Sequence, residues 1–473
     1  MVRRALFWLF ASSLGAQSIV IRQVRIIDAT GAPATKPLSV AIDGDRIAQI
    51  AKKIPHVPRT ATIVDGKGKF LIPGLWDMHI HLGPPEIFFP LLVANGITGV
   101  REMFTGIPMP VIRQWRARPD VPRIFAPGFL DGPPMLWSGP APPGAFAVAT
   151  AEQGRDAVIA LARSGVDFLK IYSSVPREAY FAIVEEAHAI GIPFAGHVPE
   201  TVSPLEASDA GQRSEEHLNG ILLACSTQEE QLRKERVAMM LDRSMPPEER
   251  MRELAWPDSK MLDESYDEHK AQILFRTFAT NGTWQTPTLA LLEGFARARE
   301  EDFVHDPRRK YLLKAWNEQW DPRKTYFLKD LSPEQYGKWE ARVQALLERY
   351  EKLVGDMHRA GVEFLAGTDA NGYNPIYPGF GLHEELKLLV KSGLSPMEAL
   401  QSATRNAAVY FGQLPAWGTV EKGKSADLVL LDANPLEDIS NTQKIAGVVM
   451  RGRYYSRADL DRMLEHVAER AAR

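Results

Sequence analysis

His79 and His81 stand two residues apart near the end of an apolar run, Leu71 to Leu82, that reads LIPGLWDMHIHL and gives way to a turn at Gly83-Pro84-Pro85. Side chains two apart on a strand share a face, so both imidazoles point the same way. Two imidazoles side by side can grip one metal ion from two directions. Alone, such a pair is as readily an ordinary strand that carries two histidines. Further candidates follow downstream: Lys170 in Asp167-Phe168-Leu169-Lys170-Ile171-Tyr172, His197 in Phe194-Ala195-Gly196-His197-Val198-Pro199, His217 in Ser214-Glu215-Glu216-His217-Leu218, and Asp369 in Ala366-Gly367-Thr368-Asp369-Ala370. Each lies at or near the C-terminal end of a strand-like segment. Together they offer the nitrogen and oxygen donors that suit zinc or a similar divalent ion.

Four other residues are candidates for substrate contact. Arg101 ends the second strand-like segment of the middle region, and Tyr172 follows Lys170 by two. Either could meet a substrate carboxylate or a developing oxyanion, an arginine fork being well matched to a carboxylate. Trp137 sits in the proline-rich loop Asp131 to Phe146, which could wall a pocket, and His383 opens the helix after Asp369 and could reach its rim. Six further histidines (His56, His188, His269, His305, His358 and His466) read as surface or structural. The single cysteine, Cys225, excludes an intrachain disulfide and a cysteine-based zinc cage.

The elements that must position these residues alternate between strand and helix from about 73 to 411, the pattern of a parallel sheet. Candidate strands are Gly74–His81, Thr98–Met103, Arg123–Leu130, Val166–Tyr172, Ile192–Val198, Ser214–Leu218, Thr283–Leu289 and Val362–Asp369. Eight such strands with intervening helices fit a (β/α)8 TIM barrel, whose chemistry lies at the carboxyl ends of the strands. Ser395, followed by Pro396-Met397-Glu398, caps a helix running to about Phe411. Segments 226–280 and 291–358, rich in Glu, Arg and Lys with apolar residues at helical spacing, read as helical insertions near the barrel mouth or at an oligomer interface. Residues 17–72 and 412–455 are β-rich and turn-punctuated, which predicts a small β-sandwich built from both ends of the chain, with a C-terminal helix over 456–473.

The chain has 473 residues, 45% hydrophobic and 24% charged, with a net charge of −3. That balance gives no general field for nucleic acid or an anionic membrane. Residues 1–16, basic at Arg3-Arg4, apolar from Ala5 to Leu14 and small at Gly15-Ala16, have the form of a signal peptide. The expectation is a secreted or periplasmic protein with no membrane attachment after cleavage.

In this order, the H-x-H pair, Lys170, His197, His217 and the G-T-D-A around Asp369 resemble the amidohydrolase superfamily. Leu382 to Gly412 and Gly418 to Asp432 (GTVEKGKSADLVLLD) are similar to its C-terminal barrel segment and its return to the sandwich. The resemblance is nearest to the branch holding imidazolonepropionases and Xaa-Pro or Xaa-Arg dipeptidases. Imidazolonepropionases use one metal and lack the lysine, so Lys170 points to the dipeptidase-like members. The resemblance implies two divalent ions, zinc foremost. His79, His81 and Asp369 would hold one, His197 and His217 the other, and a CO2-derived carbamate on Lys170 would bridge both. It implies an amide or peptide bond as target, in a dipeptide or N-acyl amino acid. A metal-bridging hydroxide would attack, with Asp369 as general acid and base. It also implies a homo-oligomer acting on small molecules. Hydrolysis of a lactone, ester or cyclic amide at the same site is the alternative, and a non-catalytic scaffold is the remote one.

Overall fold

The computed structural model describes residues 18–133, 142–257 and 259–473. Residues 1–16, expected as a signal peptide, and Trp137 lie outside the described residues. Five strands open the chain: β1 (Ile19–Ile26), β2 (Leu38–Asp43), β3 (Arg46–Ala51), β4 (Thr62–Asp65) and β5 (Phe70–Pro73). The middle carries β6 (Leu75–Ile80), β7 (Ile97–Glu102), β8 (Arg123–Phe125), β9 (Pro127–Asp131), β10 (Ala145–Ala147), β11 (Phe168–Ile171), β12 (Phe194–Gly196), β13 (Ser214–Glu216) and β14 (Trp284–Thr286). Near the end come β15 (Leu428–Leu431), β16 (Ile445–Met450) and β17 (Arg453–Ser456).

The two ends of the chain share one sheet, in the order β17-β16-β15-β5-β1-β2-β3 with β4 also on β1. β2 and β3 form a hairpin across Gly44-Asp45, where Gly44 at φ 58° supplies the left-handed turn conformation. β1 changes partners at Gln23, also left-handed at φ 57°: its first half lies between β2 and β4, its last residues beside β5. Alternate residues of these strands, among them Ile19, Ile21, Val40, Leu428 and Leu430, bury a separate apolar core. The stretch from Leu71 to Leu82 is therefore split. β5 belongs to the terminal sheet, and β6, one residue later, to the strands of the middle region.

The middle strands are parallel and form two sheets, β6-β7-β8 and β10-β9-β11-β12-β13-β14. Only Ala126 separates β8 from β9. Every residue of β6 and β7 is buried, as expected where helices cover a parallel sheet. The segment predicted as an eighth strand, Val362–Asp369, is not a regular strand. It touches its neighbours at single parallel bridges, Gln285 to Phe364 and Ile80 to Ala370. It is nonetheless tied to β6, with Met78 N donating to Ala366 O at 2.8 Å and Asp369 N to His79 O at 2.7 Å.

Gly367 makes that approach possible. A Cβ there would lie 2.6 Å from His79 Cβ, 2.8 Å from His79 N and 2.7 Å from Thr286 Cγ2. Gly367→Ala is expected to destabilise the fold by about 1–3 kcal/mol, the usual effect of overpacking, and to weaken metal uptake by displacing the H-x-H strand. Chemical denaturation beside a zinc titration checks this. Unchanged stability with unchanged zinc affinity would refute the tight approach.

Ser395 does form a capping box with Glu398, yet the helix it starts ends at Ser402 rather than near Phe411. Trp76 N at the base of β6 donates to Ala403 O at 2.7 Å, and a second helix, Arg405–Tyr410, begins after Thr404. The charged segments expected as insertions are largely helical, with Glu229–Leu241, Glu268–Asn281 and the 27-residue helix Pro333–Arg359 as their longest helices. The C-terminal helix, Arg457–Ala471, is capped by Ser456.

Candidate active site

The carboxyl ends of the parallel strands open into a cavity of about 660 Å³, lined by His81, Lys170, Tyr172, His197, His217 and Asp369 among others. His79, His81 and Asp369 each offer a ligand atom within 4.8 Å of one another. Asp369 Oδ1 lies 2.9 Å from His81 Nε2 and 3.3 Å from His79 Nε2. The His79 and His217 rings are 4.5 Å apart by centroid, and those of His197 and His217 4.9 Å. All six residues foreseen as metal ligands thus converge, from five separate elements.

The chain turns sharply where it delivers them. Phe104, His217, Leu218, Thr288 and Asp369 all have positive φ without being glycine. Such backbone is uncommon and requires support from its surroundings. Here it ends each strand abruptly and turns side chains into the cavity instead of letting them alternate.

Each imidazole is held through its Nδ1. Glu216 Oε2 lies 2.7 Å from that of His79, and Phe104 O 2.8 Å from that of His81. Ser173 Oγ lies 2.7 Å from His197 Nδ1, and Thr288 Oγ1 2.7 Å from His217 Nδ1. A partner that accepts from Nδ1–H fixes the tautomer in which Nε2 carries the lone pair, the arrangement that orients histidines for metal binding. The fully buried Nε2 of His79 has no hydrogen bond, which is otherwise costly. These residues fit a divalent ion.

Electrostatics favour the same use. Burial, then the nearby ammonium of Lys170, holds His197 and His79 below the ordinary histidine range, and burial with His79 pushes His217 down to about 3. All three are therefore neutral, as ligands must be. Burial opposes the charge on Asp369, but the imidazoles of His79 and His81 beside it outweigh that cost and hold the carboxyl well below its usual value. Burial lowers Lys170 to about 8, although Glu216 and Asp369 resist the shift, so neutral amine is accessible near physiological pH. Asn374 Nδ2 donates to Asp369 Oδ2 at 3.0 Å and orients the carboxylate.

Two of the expected substrate contacts do not reach the cavity. Arg101 is fully buried, donating from Nη2 to both oxygens of Glu216 at 2.9 and 2.8 Å and from Nη1 to Ser214 Oγ and Tyr410 OH. A strand end fixes where the residue lies but not whether its side chain turns into the interior, and Glu216 draws it inward. His383 is likewise buried, its Nδ1 2.9 Å from Thr442 Oγ1 in the segment before β16. Tyr172 lines the cavity, its ring 4.0 Å from that of His197 and tilted by 30° to it, and burial pushes its phenol upward so that the hydroxyl keeps its proton.

Glu216 and Arg101 form a buried ion pair behind His79. Arg101→Met would leave the Glu216 carboxylate buried without its cation, and is expected to destabilise the protein by about 3–5 kcal/mol. Denaturant titration measures this. A loss below about 1 kcal/mol would mean that water reaches Glu216.

The Amidohydrolase family model matches residues 172–454. Ochratoxinase of Aspergillus niger is 37% identical over 106 residues, 22% of this chain and 21% of that protein. Dihydroorotase of Staphylococcus epidermidis is 35% identical over 80 residues, 16% of this chain and 19% of that protein. The chain thus aligns with about a fifth of the length of these relatives. Among solved structures, a bottromycin amidohydrolase superposes with a TM-score of 0.72 at 23% identity, covering 96% of this chain and 90% of its own. A putative prolidase from Bifidobacterium longum does so with a TM-score of 0.65 at 24% identity, covering 96% and 99%. At these identities the likeness is one of fold.

Proposed function

The chain belongs to the amidohydrolase family, and we propose that it hydrolyses an amide or peptide bond of a small molecule with two divalent metal ions, zinc foremost. The observation that carries this reading is the set of four histidines tied by Nδ1 around Lys170 and Asp369. We read the parallel strands and the bridging segment 362–370 as one closed (β/α)8 barrel, with the site at its catalytic face.

His79, His81 and Asp369 would hold one ion, His197 and His217 the other, and Lys170, once carbamylated by CO2, would serve both. When bound there, such ions would supply Lewis acidity toward the scissile carbonyl and toward a water near neutral pH. Asp369, a carboxylate across the working range, accepts the proton of the attacking water and returns it to the leaving amine. Asn374 keeps that carboxylate aimed during both transfers. Tyr172 donates its phenolic proton toward the developing oxyanion.

The test is a panel of dipeptides, N-acyl amino acids, lactones and esters offered to the zinc-loaded protein. Amide cleavage with release of free amine is expected. Lactone or ester cleavage without any amide turnover would replace this reading with the alternative drawn from the sequence.

A further inference from the structure

The lining of the cavity is of two kinds. The metal-ligating cluster supplies one, and an apolar wall brought by the helical insertions supplies the other. That wall comprises Leu254, Trp256, Leu291, Leu292, Phe295 and Phe327. Its three aromatics brace one another: Trp256 stacks on Phe327 at 4.7 Å, Phe295 meets Trp256 edge-on at 5.4 Å, and Phe295 meets Phe327 at 5.5 Å. Trp339 of the helix Pro333–Arg359 packs behind, 5.7 Å from Trp256 and 6.0 Å from Phe295. Rings in mutual contact make a rigid surface, one already fixed before a ligand arrives. Glu200, the acidic residue on the lining besides Asp369, has both oxygens bonded by Arg236 at 2.8 and 2.7 Å. The wall therefore offers a ligand apolar surface in preference to charge, and at about 660 Å³ the cavity accommodates a molecule of drug size.

We propose that the scissile carbon–nitrogen bond carries, on one side, a bulky apolar group (an aromatic ring system or a long alkyl chain) that seats against this wall. The proposal rests on the amide-hydrolase reading above and narrows its substrate class. Neither the acyl nor the amine side is favoured by the wall itself, and the experiment separates them.

Two series of amides are offered to the zinc-loaded full-length protein, one lengthening the acyl group and one the amine. In one series kcat/KM is expected to rise about threefold to fourfold per added methylene, the gain from burying that group. Ala255 lines the cavity beside the wall and is exposed, so Ala255→Trp fills space without disturbing packed core. It should lower the ratio of kcat/KM for the longest member to that for the shortest by at least about tenfold. Trp256→Ala should flatten the same series. Binding of the matching methylene ketones, which lack the scissile nitrogen, is read in parallel by calorimetry. Flat or falling kcat/KM in both series, with amides still cleaved, would overturn the apolar seat and leave the hydrolase reading standing. Ketone affinity that rises with length while no amide is cleaved would do the reverse.

Discussion

Asp369→Asn is expected to lower kcat by about a thousandfold, within the range that a positioned general acid–base contributes. The substitution preserves shape and leaves the side chain able to accept from Asn374, but it removes the proton acceptor. The effect should fall on kcat more than on KM, because the carboxylate acts on the reacting proton and not on the bound group. Asparagine is also a poorer metal ligand, so the assay uses saturating zinc, with metal content measured on the same sample. Because the folded surroundings hold the Asp369 carboxyl well below its usual value, its charge is stabilising and part of that stability is lost with it, so denaturation is measured on the same sample. A variant retaining a tenth of the wild-type kcat at full metal occupancy would remove Asp369 from proton transfer.

Lys170→Ala carries the second large expected effect. Lys170 is buried among four histidines, with Glu216 and Asp369 as the acidic groups that favour its charge. If its carbamate holds both ions, truncation should leave at most one ion firmly bound and reduce activity by about a thousandfold or more, the loss of a clamp on attacking and leaving atoms. Truncation also leaves room beside Tyr172, whose ring centroid lies 5.7 Å from Lys170 Nζ. A short carboxylic acid such as propionate presents two oxygens of the kind the carbamate would supply. Millimolar propionate should therefore restore part of the activity and of the metal uptake. Activity and metal content equal to wild type would make Lys170 an ordinary interior cation.

The reach of the sequence is clearest at the residues that do chemistry. His79, His81, Lys170, His197, His217 and Asp369 were legible because each is an unusual residue type at the end of an apolar segment, and their convergence follows from parallel strands ending on one face. The residues that hold them were not. Glu216, Ser173, Thr288, Asn374 and the Phe104 carbonyl act through contacts as distant in sequence as the 137 positions between His79 and Glu216, and none has a periodic signature. A buried Glu-Glu-His at a strand end was the one available hint. Arg101 and His383 were misjudged because strand and helix ends locate a residue without fixing the direction of its side chain. Both turned toward buried partners, Glu216 and Thr442. The break after Ser402 was equally invisible, since it depends on the Trp76 amide arriving at Ala403. Left-handed backbone at His217 and Asp369 arises from tertiary support, whereas the glycine at Gly44 announced its own turn.

The apolar wall shows the same division. The insertions read in sequence as charged helices with apolar residues at helical spacing, and nothing in that pattern tells that Trp256, Phe295 and Phe327 face the same cavity as the histidines.

The measurement that bears most directly on the central claim is the metal content of the purified protein after reconstitution with zinc and bicarbonate and exhaustive dialysis, determined by elemental analysis. Two zinc ions per chain are predicted. One ion per chain would contradict the carbamate-bridged pair and point to a mononuclear hydrolase, and none would contradict the metal mechanism altogether.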